Sequence, residues 1–477
     1  MASGFSQQFK SDSRRMAGNL DHRNLIRNAL LKYEAARDAQ KASFQDWQGA
    51  RQAAAERKWD AINHLDVHLD SFASKLEARG TKVHWAGNGA DARQIVLDIV
   101  RQKGARSIIK SKAMTAEEIH LNDALEKGGY SVVESDLGEY IVQLRNEAPY
   151  HIVFPAMHLT RGQISSLFAE KLGSAPTDNP EDLTMIERTV LRDKYITADV
   201  GITGANFAVA ETGMVSITEN EGNARLTAAL PRTLITLLGI EKIVPKLSDL
   251  ALFLPMLATA GAGQAFTGYN SMYGGPRQPD EFDGPEEYHV ILLDNGRTQL
   301  MADGEQRDAL HCIRCGACLN VCPIYRNVGG HSYGTTYPGP IGSVITPHLR
   351  GLQEWKHLSQ ASSLCGACTE ACPVKIDLHH HLLQNRRNAM AGKPVRWEKL
   401  AFAAFGFLAV RPALLGTLIP LGRFAQKWFH WIVKGGPLDP ARVWTETREL
   451  PPIAPATFTD LWRARQRARR HTPEAAR

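Results

Sequence analysis

All of the cysteines in this 477-residue chain lie between positions 312 and 372. They are Cys312, Cys315, Cys318, Cys322, Cys365, Cys368 and Cys372. Thiolates are soft ligands that suit iron–sulfur clusters, and short gaps between them let successive side chains surround one compact core. Residue type and spacing together therefore predict iron–sulfur chemistry, in which a protein accepts and passes on electrons.

The cysteines form two runs with related spacing. The first run, from Cys312 to Cys322 with Pro323 after it, has the full C-x2-C-x2-C-x3-C-P pattern. In this pattern three closely spaced thiolates hold one cluster, and the fourth reaches across to a second cluster. The second run, from Cys365 to Cys372, is also followed by proline but lacks the first cysteine of the pattern.

The crossed pairing predicts two iron–sulfur clusters, each of the 4Fe-4S type, although the second has three cysteine ligands and could be 3Fe-4S. The first ligand set is Cys312, Cys315, Cys318 and Cys372, and the second set is Cys322, Cys365 and Cys368. Ser362 stands where the missing ligand is expected. Four alternatives remain open there: ligation through the serine oxygen, a ligand from elsewhere, an iron open to solvent or to a small molecule, and a three-iron cluster.

Other uses of the cysteines fit less well. A disulfide framework is typical of secreted, cysteine-rich chains, whereas this N-terminus has no apolar signal region and the rest of the chain has no cysteine. Structural zinc usually takes separate C-x2-C pairs or paired histidines. Clusters that only hold the fold together remain an alternative, but two adjacent clusters exceed what that purpose needs.

The surroundings of the cysteines are predicted to tune the clusters. Arg314, Arg326 and Lys375 lie beside the two runs and are expected to offset the negative charge of the clusters. A connection rich in glycine and proline, residues 329–342, separates the runs and is expected to wrap and shield the clusters.

Composition sets the scale of the fold. With 43% hydrophobic and 22% charged residues, the chain can bury a large core and is expected to form two or three domains. The net charge of +6 is modest for this length, and basic residues are dispersed except in the tail at 463–470, so nucleic-acid binding is not expected.

The elements before the cysteines indicate an α/β domain that follows N-terminal helices. Residues 20–78 are rich in helix formers. From Lys82 onward, short apolar runs alternate with helical stretches, which is typical of a parallel sheet. Strands are predicted at 82–86, 106–110, 130–135 and 151–156, with helices at 91–103, 115–128 and 138–147. A β-rich stretch at 198–218, a helix at 230–239, a strand at 240–246 and a helix at 248–260 complete the prediction.

Ligands of parallel sheets bind at the carboxyl ends of the strands. Two glycine-containing loops, 87–90 and 201–206, are candidates, but neither has a dinucleotide or P-loop pattern. The polar clusters 110–112 and 210–213 are of the kind that line a pocket. For His84, His151 and His158 a structural role in the core or at its rim is favoured over contact with a substrate.

Four segments carry a resemblance to a known family. They are 110–144, 149–160, 201–244 and the cysteine segment ASSLCGACTEACPVKI at 361–376. Together they resemble the B subunit of the lactate utilization system, whose A, B and C proteins act as an L-lactate dehydrogenase that forms pyruvate without a nicotinamide cofactor. The resemblance implies a LUD domain similar to the NagB, RpiA and CoA-transferase α/β fold, followed by a helical dicluster ferredoxin domain. It also implies that the serine at 362 is usual for the family.

The predicted domains follow from this resemblance. They are a helical region (1–78), the LUD-type α/β domain (79–298), the dicluster domain (299–394) and a helical C-terminal region (395–477). The chain shows no flavin fingerprint, so we expect an electron-transfer subunit, non-catalytic or co-catalytic, that needs companion A and C subunits and an unidentified electron acceptor. The alternative is an α/β enzyme or binding module for a CoA or phosphate ligand, with clusters that sense redox state.

One C-terminal stretch raises the question of a membrane. The apolar run at 400–410 ends at Arg411-Pro412, and a spanning helix needs roughly 20 apolar residues. Packing in the core or in a groove of a partner is favoured over attachment at a membrane surface, to which Lys427, Trp428, Trp431 and Lys434 would contribute. The expected location is the cytoplasm, with peripheral membrane contact as an option.

Overall fold

The computed structural model describes residues 4–391, 396–428, 436, 439, 442–445, 448–449 and 451–470. It divides into two compact units, Met1–Ala389 and Met390–Arg477. The first unit holds the sheet and all of the cysteines. The predicted boundaries near residues 78 and 298 fall inside this unit, and they stay predictions.

Four helices precede the first strand, in agreement with the helices predicted for residues 20–78. They are α1 (Gly4–Gly18), α2 (Leu20–Lys41), α3 (Trp47–Asn63) and α4 (Leu65–Glu77). Asn19 starts α2 by accepting a hydrogen bond from the amide of His22, and Asp46 starts α3 in the same way with Gly49. Such caps satisfy backbone donors that have no partner inside the helix.

The described residues form ten strands in two sheets. The first sheet has six strands, all of them parallel, in the order β1-β10-β7-β4-β2-β3, and the second has the order β8-β5-β6-β9. The strands are β1 (Lys82–Ala86), β2 (Ser107–Lys110), β3 (Ser131–Glu134), β4 (Val200–Thr203), β5 (Phe207–Val209), β6 (Met214–Glu219), β7 (Thr233–Gly239), β8 (Ile243–Val244), β9 (Tyr269–Tyr273) and β10 (Glu287–Leu293). The predicted parallel-sheet α/β architecture is therefore confirmed.

Helices lie between the strands, and most of them pack against the first sheet. They are α5 (Gly89–Gln102), α6 (Met114–Glu118), α7 (Leu121–Lys127), α8 (Leu137–Leu144), α9 (Arg161–Leu172), α10 (Pro180–Thr197), α11 (Asn223–Ala229) and α12 (Leu250–Ala262). Val96 and Val100 of α5 are fully buried in the same core as Ile291 of β10. This packing explains the apolar runs of the central strands, because a parallel sheet with helices on its faces is buried on both sides.

Three predicted elements were wrong. The helix predicted at 230–239 is the central strand β7, every residue of which is buried, and a short, mostly apolar run does not distinguish such a strand from a buried helix. Residues 151–156 form turns because the ring of His151 accepts hydrogen bonds from the amides of Val153 and Phe154. Only Ile243 and Val244 of the strand predicted at 240–246 pair in a sheet.

Short helices surround the cysteines. They are α13 (Arg297–Ala302), α14 (Ala317–Asn320), α15 (Pro323–Val328), α16 (Gly339–Arg350), α17 (Leu352–Gln360), α18 (Ala367–Ala371) and α19 (Leu378–Ala391), together with 3-10 turns at Ile240–Lys242, Leu247–Asp249, Arg307–His311 and His331–Tyr333. One hydrophobic core contains Leu30 of α2, Phe253 of α12 and Trp355 of α17 along with four of the cysteines. The cysteine region therefore has no separate core of its own.

The second unit contains the helices α20 (Arg396–Ala409), α21 (Pro412–Trp428), α22 (Arg442–Thr445) and α23 (Phe458–Arg470). Phe402, Phe405 and Phe424 are exposed, so packing in a core does not account for this apolar stretch. Among the described residues no single helix is long and apolar enough to cross a membrane. Lys399–Ala409 and Pro412–Trp428 reach that length and composition only as a pair bent by 114°. Trp431 and Lys434 lie outside the described residues.

A buried charge network joins the sheet to the cysteine region. Arg297, at the start of α13, pairs with Glu118 of α6 at 2.8 Å and also with Glu241, which follows β7. Arg314, between the first two cysteines, pairs with Glu241 at 3.1 Å. Burial alone would raise the pKa of Glu241, but Arg297 and Arg314 outweigh it and lower this pKa to about 2. The carboxylate is therefore ionised at neutral pH.

Removal of Arg297 is expected to destabilise the first unit severely. An Arg297→Met chain should lose about 3–5 kcal/mol of unfolding free energy, because two carboxylates remain buried beside a single guanidinium. Denaturant unfolding followed by tryptophan fluorescence measures the loss. Arg101→Met, which breaks an exposed pair with Asp98, is the matched control and should cost less than about 1 kcal/mol. Equal losses in the two variants would contradict a structural role for the network.

A second buried cluster lies where β2 and β3 end. The ammonium of Lys110 is 2.8 Å from Glu134 and 3.2 Å from Glu117, and Glu139 of α8 is buried beside them. Burial raises the pKa of Glu134 to about 7 against the pull of Lys110. Burial, followed by the charges of Glu134 and Glu117, raises the pKa of Glu139 well above its usual value. One lysine does not neutralise three carboxylates, so the cluster retains protons.

This cluster predicts a pH-dependent stability. Because the pKa of Glu139 is higher in the folded chain than in the unfolded one, its contribution is complete below the unfolded pKa and is lost as pH rises toward the folded pKa. Glu139→Gln removes this loss, so its melting temperature should gain on that of the wild type between pH 5 and pH 9. The gain corresponds to about 1.4 kcal/mol for each pH unit between the two pKa values.

The exposed Glu126→Gln is the control for the pH experiment, and its melting temperature should follow that of the wild type at every pH. If the difference between Glu139→Gln and the wild type were constant from pH 5 to pH 9, the raised pKa of Glu139 would be refuted.

Candidate metal centre

The structure sorts the cysteines into two groups. Burial raises the pKa of Cys315, and the neighbouring thiols of Cys372 and Cys312 raise it further. Burial raises the pKa of Cys368 to about 11, with further contributions from Cys322 and Cys365. The buried group is Cys312, Cys315, Cys318 and Cys372, and the outer group is Cys322, Cys365 and Cys368. These groups have the same members as the predicted ligand sets, while ligation itself stays a prediction.

The buried group fits an iron–sulfur cluster in its chemistry. Its four cysteines line one cavity, and the other lining residues are apolar or glycine, among them Ile152, Ile341 and Leu378. Burial raises the pKa of Cys372 to about 12, so this thiol ionises readily only when a metal replaces its proton. A backbone amide also points at a sulfur of this group: the amide of Ile376 donates to Cys372 Sγ at 3.4 Å.

The outer group opens to the surface. Cys365 is exposed and Cys322 is half-buried, whereas Cys368 is buried. The amide of Tyr325 donates to Cys322 Sγ at 3.5 Å. The pKa of Cys318 is raised by burial and by the thiols of Cys312 and Cys315. The thiol of Cys368, which belongs to the outer group, raises this pKa further, so the two groups are neighbours. A series of thiols therefore leads from the interior to the surface.

The two cysteine runs share one backbone conformation, and Ser362 holds the position of the missing cysteine. In the first run the amide of Arg314 donates to Cys312 Sγ at 3.4 Å, and in the second run the amide of Leu364 donates to Ser362 Oγ at 3.1 Å. Arg314 and Leu364 have φ angles of 60° and 55°. The serine oxygen thus occupies the place that a cysteine sulfur takes in the first run.

Both runs keep a strained turn in front of a short helix. A left-handed φ at a residue with a side chain costs roughly 1–2 kcal/mol, and it persists at Arg314 and Leu364 because the turn presents amides to the ligand atoms. Two residues later Gly316 and Gly366 have φ angles of 78° and 80°. A side chain at Gly316 would also meet the ring of His151 at 3.0 Å, so close packing requires glycine there.

Basic residues surround the thiols, but they are only partly the predicted ones. The position of Arg314 agrees with its predicted role, because its charge lies beside Cys312. The charge of Arg326 lowers the pKa of Cys322, although burial raises this pKa overall. Lys375 is exposed and donates to Gln52 at 2.6 Å.

Three buried basic residues near the buried group were not predicted from the sequence. Arg51 of α3 donates to the backbone oxygen of Cys372 at 2.9 Å. Lys58, also on α3, is 1% exposed and donates to the backbone oxygen of Glu241 at 2.5 Å, while Lys242 is buried next to Glu241. Burial lowers the pKa of Lys58 to about 7. Only the packing of α3 identifies Arg51 and Lys58, because the sequence of this helix is that of an ordinary polar helix.

The three histidines have structural surroundings. His84 stacks on His289, with the rings 5.3 Å apart. Burial lowers the pKa of His151 to about 3, and its neutral ring contacts Asn320 Oδ1 at 3.0 Å. His158 lies 2.8 Å from Glu147.

Two family models match the chain. A model of the LUD domain matches residues 69–293, and a model of the 4Fe-4S dicluster domain matches residues 308–376. The second range contains every cysteine of the chain. The chain therefore carries an iron–sulfur dicluster domain after its α/β domain.

Curated relatives cover nearly the whole chain. A protein of Shouchella clausii named lactate utilization protein B is 44% identical over 455 residues, which is 94% of this chain and 95% of the relative. A protein of Bacillus subtilis with the same name is 42% identical over 441 residues, which is 90% of both chains. The chain belongs to the lactate utilization protein B family. The resemblance found in the sequence is thus confirmed.

One solved structure also shows similarity to this member of the lactate utilization protein B family. It is the crystal structure of a DUF162 family protein from Deinococcus radiodurans, at 13% identity. The similar region covers 48% of this chain and 98% of that one, with a TM-score of 0.27.

The position of Ser362 predicts the effect of restoring a cysteine. A Ser362→Cys chain should hold the iron of the outer group more tightly, because a thiolate is a better ligand for an iron–sulfur cluster than a hydroxyl. Iron loss to a chelator in air should slow, and the EPR signal of the outer cluster should change while that of the buried cluster is retained. Ser363→Cys, at the exposed neighbouring position, is the control. An equal effect in both variants would contradict the inference that Ser362 occupies the position of the missing cysteine.

Proposed function

We propose that this chain is the electron-transfer subunit of an L-lactate dehydrogenase composed of companion A, B and C subunits. The proposal rests chiefly on one observation: the thiols form a buried group and a neighbouring group that opens to the surface at Cys365. The names of the relatives, lactate utilization protein B, supply the substrate. When bound, two iron–sulfur clusters supply one-electron steps, which suits a relay for the two electrons released when lactate becomes pyruvate.

The residues around the buried group have a defined task in this proposal. Arg51 and Arg314 place positive charge near the thiolates, and Lys58 adds to it when it is protonated. Positive charge favours the ionised form of the ligands and makes an added electron easier to accept. Tyr333 and Tyr337, from the connection between the cysteine runs, are buried and exclude water from the site. Solvent exposure and hydrogen bonds to sulfur set cluster potentials, so the buried and outer clusters should differ in potential.

The same proposal includes the type of the clusters, the fold of the α/β domain and the location of the protein. Each group of thiols holds one 4Fe-4S cluster, and the outer cluster completes its ligands at or beside Ser362. The α/β domain is similar to the NagB, RpiA and CoA-transferase fold, with substrate chemistry in a companion subunit. The protein works in the cytoplasm, and the apolar helices Arg396–Ala409 and Pro412–Trp428 contact a partner or a membrane surface.

Reconstitution with the companion subunits tests this function. Anaerobically purified chain with its clusters is mixed with L-lactate, with and without the A and C subunits, and cluster reduction is followed by EPR and visible absorbance. We expect reduction only with the companions present. Cys365→Ser should slow it at least tenfold through loss of the surface thiol, whereas Ser363→Ala, a neighbouring exposed change, should not. Lack of reduction with all subunits present would refute the proposal.

A second function is favoured by one observation, a cavity of about 330 Å³ at the carboxyl end of the parallel sheet. In that alternative the α/β domain turns over a CoA or phosphate ligand and the clusters sense redox state. Turnover of a thioester or a sugar phosphate by the isolated chain would establish it.

A further inference from the structure

The cavity of about 330 Å³ lies between the sheet and the buried thiol group. Ser111 and Lys112, which follow β2, line it together with Asp136 after β3 and Asn206 after β4. Cys315 lines both this cavity and the smaller one that the buried group surrounds. At about 30 Å³ for each water, the volume has room for a small molecule and several waters.

Two cations at the thiol end of the cavity lack full partners. Lys242 is 8% exposed, and its ammonium makes no hydrogen bond or ion pair with the residues that the structure describes. The side chain of Arg314 is 9% exposed, and its Nη1 is buried without a hydrogen-bond partner, although Nη2 pairs with Glu241 at 3.1 Å. Buried donors without acceptors are costly unless a ligand supplies the acceptor.

The other charged groups at the cavity are already engaged. Lys112 donates to the backbone oxygen of Val153 at 2.6 Å. Asp136 accepts from the amide of Glu139 at 3.0 Å, and Glu221 accepts from that of Leu137 at 3.1 Å, so the start of α8 is capped twice.

The start of α11 is closed in the same way. Glu219 accepts from the amides of Ala224 at 2.6 Å and Arg225 at 3.0 Å. Phosphate groups are commonly held by free amides at helix starts, whereas four amides at the starts of α8 and α11 already donate to Asp136, Glu219 and Glu221. Asp136, Glu219 and Glu221 would also repel a dianion. The open donors thus match a single carboxylate better than a phosphate.

We propose that this cavity binds a small organic carboxylate. The carboxylate oxygens of the ligand lie between Lys242 and Arg314, and a polar group at its other end points toward Asn206. The bound anion then lies next to Cys315. The inference rests on the proposed function only in assigning an iron–sulfur cluster to the buried thiol group.

Contact with Cys315 couples the anion to the state of the cluster. A negative charge beside the cluster opposes an added electron, so the anion binds more tightly to the oxidised chain and shifts the midpoint potential to more negative values. By linkage, the ratio of the two affinities equals the ratio by which the anion changes the reduction equilibrium.

Calorimetry on the anaerobic full-length chain with its clusters tests the proposal, with L-lactate, acetate and inorganic phosphate as probes. We expect both carboxylates to bind with Kd below about 10 mM, more tightly than phosphate and more tightly in the oxidised than in the dithionite-reduced chain. Lys242→Met should weaken binding about 10- to 100-fold, the loss expected for a charge-assisted hydrogen bond. Lys246→Met, at an exposed lysine four positions away, should bind as the wild type does.

A second variant keeps the test independent of Lys242. Ala205→Leu fills the cavity without a change in charge and should also abolish binding. Undetectable carboxylate binding, tighter binding of phosphate, or unchanged affinity in both variants would each overturn the inference. Reduction of the clusters by lactate in the full complex, without carboxylate binding to this chain, would overturn the inference and leave the proposed function intact.

Discussion

The carboxylate of Glu241 is the constraint on which the rest of the first unit depends. It is 1% exposed and stands where the central strand β7 ends, between Arg297 from the α/β region and Arg314 from the cysteine segment. A buried charge is tolerable only if partners surround it, so any arrangement that moved the cysteine segment away from the sheet would leave Glu241 with one cation fewer. Its neighbour Lys58 adds α3 to the same assembly through the backbone oxygen of Glu241. These contacts therefore fix the positions of the sheet, the N-terminal helices and the thiols relative to one another.

Sequence reasoning succeeded where the determinants are local. The alternation of strands and helices follows from short periodic patterns, whereas the assignment of the cysteines to two ligand sets stays a prediction. It failed at β7, because TLITLLG is mostly apolar without a strict alternation of apolar and polar residues, and because its neighbours on the sheet, β4 and β10, are distant in sequence. It also missed Arg51 and Lys58, whose roles arise only when α3 packs on the cysteine segment. Long-range contacts of this kind leave no mark in a single sequence.

The carboxyl edge of the sheet shows how a chain can make its own helix caps from acidic residues. Asp136, Glu219 and Glu221 fill the amide sites at the starts of α8 and α11, so the acidic side chains are acceptors already in use. The same choice leaves Lys242 and Arg314 as the only open donors among the described charged groups of the cavity. The charge that a ligand meets at this edge therefore depends on which charged side chains already have hydrogen-bond partners in the fold and which do not.

The exchange of one cysteine between the two runs has a consequence for how the protein matures. Cys372, from the second run, completes the buried group, and Cys322, from the first run, joins the outer one. Neither group can be completed by the run that supplies most of it, and closing the long loop between the runs costs free energy that grows only slowly with its length. During synthesis, the first run leaves the ribosome with three of its four buried positions and must wait for the second. Each group is complete only when both runs have been synthesised, and a chain that stops short of Cys372 has no complete buried group.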